Sequence, residues 1–170
     1  MFHTRHVSSI LGLLLAVSTM GVPYGVDAAG AVDPLISAVR EGDIAKSRQL
    51  LDNGADPNVG DQRGMTPLMH AAGASRLELV ELLLARGAKL NARDRDGDTA
   101  LKHAAWNDDI FVMEALITKG ADVNLASDFG VTPLRAAATS GYAPVVEVLL
   151  KAVRDHLEVV RLLREAGGKE

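Results

Sequence analysis

One phrase recurs in this chain at a fixed interval. TPLMHAA opens at Thr66, TALKHAA at Thr99 and TPLRAAA at Thr132, so each copy follows the last by 33 residues. Other positions keep the same step: Leu35, Leu68, Leu101 and Leu134; Ala38, Ala71, Ala104 and Ala137; Leu50, Leu83, Leu116 and Leu149; Gly54, Gly87 and Gly120; Asn58, Asn91 and Asn124. A period of this length means one small unit used several times. A single unit cannot bury its apolar face alone, so the units must stack.

Each unit reads as a turn and two helices. Asp61–Gly64 and Asp94–Gly97 are Asp-x-x-Gly turns, with glycine free to take positive φ. Thr is placed as the N-cap, and the proline of TPL suits the first helical position. Leucine and paired alanines give a short inner helix with a small-residue face. A second turn falls at Ser75, Asp108 and Gly141. The outer helix carries a leucine stripe, as in LELVELLLARG, and closes on Gly87 or Gly120. Apolar residues are 48% of the chain and aromatics only 4%. Such a core suits close-packed helices better than sheets.

The spacing, TPL-x-x-A-A, the LL-x-x-GA close and the GADVN link at Gly120–Asn124 resemble ankyrin repeats over roughly Asp33 to Ala152. The resemblance implies an all-α solenoid of stacked helix-turn-helix units. We place a half-unit at 33–60, with Asp33 as its cap, and full units at 61–93, 94–126 and 127–152, the array as a whole spanning 29–152. Residues 153–170 read as a truncated unit or capping helix, because about 19 residues of the expected register are absent there. One long helix from about 144 to 166 is the simplest reading, with Val145, Leu149, Ala152, Val160 and Leu163 as its stripe. A bend near Asp155 is the alternative. The exposed leucines of this end could serve a homodimer.

The first 28 residues differ from the rest. Arg5 precedes an apolar run from Ile10 to Val17, then Gly21, Pro23 and Gly25 break it. Val26 and Ala28 precede a candidate cleavage site before Ala29. This is the layout of a signal peptide, and the run is short of the ~20 residues that span a bilayer. The expectation is a cleaved leader, a periplasmic or secreted protein and no stable membrane insertion afterwards.

The chemistry that composition allows is narrow. With no cysteine, disulfides, thiolate metal sites and cysteine nucleophiles are excluded. A net charge of −4, with both signs mixed, offers no general attraction to nucleic acid. Phosphate loops, zinc-protease histidine pairs and nucleophile elbows are missing, so no enzyme and no cofactor are expected. Asp94–Asp98 resembles a calcium loop only faintly, since Ala105 stands where the closing glutamate belongs.

In ankyrin repeats a histidine follows TPL and is thought to bridge turns. Here that slot holds Met69, Lys102 and Arg135, and histidine comes one place later at His70 and His103. A metal pair between them lacks a third ligand by spacing, and no metal is expected. The resemblance further implies a protein partner held by the concave face and turn tips. The residues expected there are Arg40, Glu41, Arg63, Met65, Asp96, Asp98, Trp106, Asn107, Phe129, Val131, Thr139 and Ser140. Trp106 is the natural anchor, because aromatics dominate interface energetics. It could equally fold over its own repeat.

Overall fold

A computed structural model describes residues 32–167. The leader and its cleavage site lie outside the described residues. Eight helices follow in order: α1 (Pro34–Glu41), α2 (Ile44–Asp52), α3 (Pro67–Gly73), α4 (Leu77–Ala85), α5 (Ala100–Ala105), α6 (Ile110–Thr118), α7 (Pro133–Ser140) and α8 (Ala143–Gly167). The odd-numbered helices form an inner layer and the even-numbered ones an outer layer. Each helix packs against its partner and against the same helix of the next unit. The unit at 33–60 carries a full helix pair, α1 and α2, and so is more than the expected half-unit.

The repeated residue types each have a job in this stack. Thr66, Thr99 and Thr132 accept the backbone N–H three residues on, and Asp33 does the same work for α1. Leu83, Leu116 and Leu149 lie in register on the outer helices and are fully buried. Each such leucine contributes about 1.5–3 kcal/mol by leaving water. The paired alanines Ala71–Ala72 and Ala104–Ala105 are equally buried, which lets the inner helices approach closely. The recurring asparagines tie units together. Asn58 accepts the Lys89 N–H at 2.7 Å and donates to the Gly87 carbonyl at 3.2 Å, and Asn91 accepts the Asp122 N–H at 3.0 Å.

Inner helices end on a left-handed residue at a fixed register: Gly42, Ser75, Asp108 and Gly141, with φ of 81°, 57°, 53° and 77°. That conformation reverses the chain so that the outer helix can start at once. At Ser75 the turn is closed by Ser75 N–H to the Ala72 carbonyl and Arg76 N–H to the Ala71 carbonyl.

α8 is one continuous helix of 25 residues, about 37 Å long at 1.5 Å per residue. Val145 and Leu149 are buried against the stack, Ala152 is half-buried, and the helix then runs past the last inner helix. Leu150, Leu157, Val159 and Leu162 are each at least half exposed. No helix among the described residues is long and apolar enough to cross a membrane.

Two of the four left-handed positions hold a side chain that disfavours that conformation. Ser75→Gly is expected to stabilise the fold by about 0.5–1 kcal/mol, the left-handed cost less the added freedom of the unfolded glycine. A urea midpoint that falls on this substitution would contradict the account of the turn.

Candidate functional site

The site is built on the inner helices α1, α3 and α5 and on the turns that precede α3 and α5. Each turn is closed by one carboxylate. Asp61 Oδ1 accepts the N–H of Arg63 at 2.8 Å and of Met65 at 2.9 Å. Asp94 Oδ1 accepts the N–H of Asp96 at 3.0 Å and of Asp98 at 2.8 Å. The second oxygen of each carboxylate meets the displaced histidine. His70 Nε2 lies 2.9 Å from Asp61 Oδ2, and His103 Nε2 lies 3.0 Å from Asp94 Oδ2. The shifted histidine therefore pins the turn of its own unit to the inner helix behind it. The third unit has Ser127 and Ala136 at the two corresponding positions, so acid and imidazole disappear together. A histidine nine residues after the turn aspartate, twice, was the readable signal for this pair.

Burial raises the pKa of Asp61, but the amides of Met65 and Arg63 and the bond to His70 outweigh it and hold the carboxyl below its usual range. Burial lowers His70. The Asp61 bond opposes this, while Arg40 and His103 add to it, and the net result lies below the ordinary 6.5. At neutral pH the ring is uncharged and Nε2–H donates to the Asp61 carboxylate.

The usual histidine slot is filled in two ways. In the first full unit Met69 is buried, and its sulfur receives the Thr66 N–H at 3.4 Å. In the next unit Lys102 is buried and ion-paired with Asp98, which is itself only 5% exposed. One register earlier, the positions of Asp98 and Lys102 hold Met65 and Met69. A buried ion pair thus stands where the neighbouring repeat has two methionines. The Lys102 ammonium also sits 4.6 Å from the centroid of the Trp106 ring. Asp94, Asp98 and His103 bring ligand-type atoms within 4.8 Å of one another. Their oxygens are already taken by backbone amides, imidazole and the Lys102 ammonium, which supplies the positive charge itself.

Above these pairs lies an open groove of about 380 Å³. Its walls follow from the repeat. Arg40, Gly73 and Trp106 occupy the same register at the ends of α1, α3 and α5. Glycine in the middle leaves a gap between a guanidinium and an indole. Met65, Met69, His70, Ala74, His103 and Asn107 complete the lining. Trp106 folds edge-on against His103, with ring centroids 6.0 Å apart, yet stays 44% exposed. It packs on its own helix and faces the groove at once. Asn107 braces the floor by donating to the Gly73 carbonyl at 2.6 Å.

Of the residues expected on the binding face, Arg40, Met65, Trp106 and Asn107 come together around this groove. Arg63 and Asp96 lie at successive turn tips and pair across units at 3.6 Å. Phe129 and Val131 belong to the next tip, where Phe129 is 76% exposed. Thr139 and Ser140 are exposed at the end of α7, and Glu41 turns toward Ser37 and Lys46, away from the groove. Asp98 does not reach the surface, because its carboxylate is spent on Lys102.

A family sequence profile described as Ankyrin repeats (3 copies) matches residues 35–127 and 94–159, which together cover most of the chain. The chain belongs to the ankyrin-repeat family. Ankyrin repeats in general mediate protein–protein interaction and are typically non-catalytic. The chain is also similar to proteins called Ankyrin repeat domain-containing protein 46. It is 42% identical to the Danio rerio protein over 45 residues, 26% of this chain and 20% of that one. It is 40% identical to the Rattus norvegicus protein over 48 residues, 28% of this chain and 21% of that one. The chain thus spans about a fifth of the length of the curated relatives it matches.

Two outcomes test the buried pairs. Because the folded pKa of His70 lies below 6.5, the unfolded state takes the proton first as pH falls. Stability is then full above that pH and declines below it, with a further loss as Asp61 protonates below 3.8. Urea midpoints of His70→Gln, whose amide can still donate, should decline less between pH 7 and 5 than those of the unsubstituted chain. Parallel curves would contradict the assignment. Asp98→Met alone strands a buried ammonium and should cost about 3–5 kcal/mol. The double substitution Asp98→Met, Lys102→Met copies the preceding repeat and should recover most of that loss. A double-mutant cycle showing simple additivity would refute the coupling.

Proposed function

We propose that this ankyrin-repeat protein is an exported, non-catalytic binding module that holds a protein partner on its concave face and turn tips. The observation that carries this reading is the half-exposed indole of Trp106, set in a preformed groove. Its ring is fixed from behind by Lys102 and His103, so little rotamer freedom is lost when a partner covers it. The neighbouring tips are equally preset. Arg95 N–H donates to the Arg63 carbonyl and Asp128 N–H to the Asp96 carbonyl, each at 2.9 Å, so successive turns form one ribbon. Rigid surfaces with a central aromatic anchor bind through few residues. Export rests on the leader-like order of charge, apolar run and small residues at the N-terminus, and places the partner in the periplasm or outside the cell.

Trp106→Ala should reduce partner capture from the exported fraction at least tenfold while circular dichroism stays unchanged. Gly73→Leu should do the same by filling the gap. A side chain at Gly73 meets its nearest neighbours, His103 Cβ at 3.7 Å and Asn107 Nδ2 at 4.0 Å, at ordinary contact distance. Undiminished capture by both variants would place the binding surface elsewhere.

A second reading rests on α8. Leu157, Val159 and Leu162 lie exposed beyond the packed part of the helix, and exposed leucines on a rigid helix favour self-association with a second copy. Light scattering on the chain truncated after Ala152 should then give a monomer where the full chain gives a dimer. An unchanged mass would rule this reading out.

A further inference from the structure

We propose that the groove between α1, α3 and α5 selects an acidic side chain, carried beside an apolar one on an extended segment of the protein partner. This rests on the binding reading above and adds the chemistry of what is bound. The whole chain carries −4, yet no carboxylate lines this groove. Asp61 and Asp94 lie beneath it, and both are engaged by two amides and an imidazole each. Asp98 is withdrawn by Lys102. What the groove keeps is the guanidinium of Arg40, the imidazoles of His70 and His103 and the amide of Asn107.

Arg40 is exposed, and among the described residues no carboxylate pairs with it. Five other cations of the stack do have such a partner: Lys46 with Glu41, Arg63 with Asp96, Arg86 with Asp52, Arg93 with Asp128 and Lys102 with Asp98. A guanidinium left over at a concave wall is suited to take a carboxylate from outside, with two parallel N–H donors. The opposite wall is Trp106 with Met65 nearby, which suits an apolar side chain next to the acidic one. Basic side chains find no counter-charge here, and the indole already carries the Lys102 ammonium. Gly73 stands between the two walls, so one segment lying over it can offer an acid to Arg40 and an apolar group to Trp106.

Peptide selection on the immobilised chain tests this directly. A random phage-displayed peptide library is panned in parallel against the unsubstituted chain, Arg40→Gln and Trp106→Ala. The expected result is enrichment of Asp or Glu adjacent to an apolar residue on the unsubstituted chain. The acidic preference should vanish on Arg40→Gln while the apolar preference remains. Synthetic peptides from the selection should bind at least tenfold more weakly when Glu is replaced by Gln. Enriched peptides without an acidic excess, an excess that survives Arg40→Gln, or no enrichment at all would each overturn the proposal. Peptides that lack acid but still need Trp106 would leave the binding reading standing and remove only the carboxylate. Urea midpoints of both variants separate lost binding from lost folding.

Discussion

One carboxylate in each of two turns holds three parts of the molecule in place. Asp61 and Asp94 close their own turns through two amides, then reach back to an imidazole on the inner helix. Each removes several polar groups from the list that would otherwise need water. The turn so fixed presents its backbone to the next turn, and the Arg63–Arg95 and Asp96–Asp128 bonds follow from that presentation. Without the aspartate the tip could take other shapes, and the ribbon of tips would lose its register. The histidine matters because it ties the tip to a helix, which is the rigid part of the unit.

The buried Lys102–Asp98 pair shows how such a repeat can carry charge inside. Two methionines fill the same volume one repeat earlier, so packing does not require the ions. The pair instead places a cation behind the only tryptophan of the chain. Fixing that ring costs the repeat desolvation of two charges, offset by their mutual attraction and by the indole face. A methionine at the Lys102 position would pack as well and hold the ring less firmly.

The architecture was largely legible from periodicity. The helix pairs, the threonine caps, the glycine closes and the uninterrupted α8 follow from a register that many residue types share. The groove was legible in part, since Arg40, Gly73 and Trp106 were aligned by the same register. Asp98 reads from the sequence as a surface group, because turn-tip residues usually face water, but it is buried. Its burial depends on a counter-ion, Lys102, that occupies a slot where a histidine was the family expectation. The His–Asp links were not read either. They join positions nine residues apart, across a turn and a helix start, and neither helical nor strand periodicity connects such positions.

The same one-dimensional logic explains the far end of the stack. In a solenoid each unit is stabilised by its neighbours. Here α8 runs for 25 residues where the outer helices of the earlier units have nine. α8 is held by α6 and α7, with Ala152 and Val153 still packed on the core, and most of the residues described beyond them are exposed. Local terms must then support it. The Glu158–Arg161 pair at 3.1 Å helps, but an exposed pair of this kind is worth only a few tenths of a kcal/mol. A helix extended this far past its packing, with leucines on its surface, gains far more from being covered than from its own ion pairs.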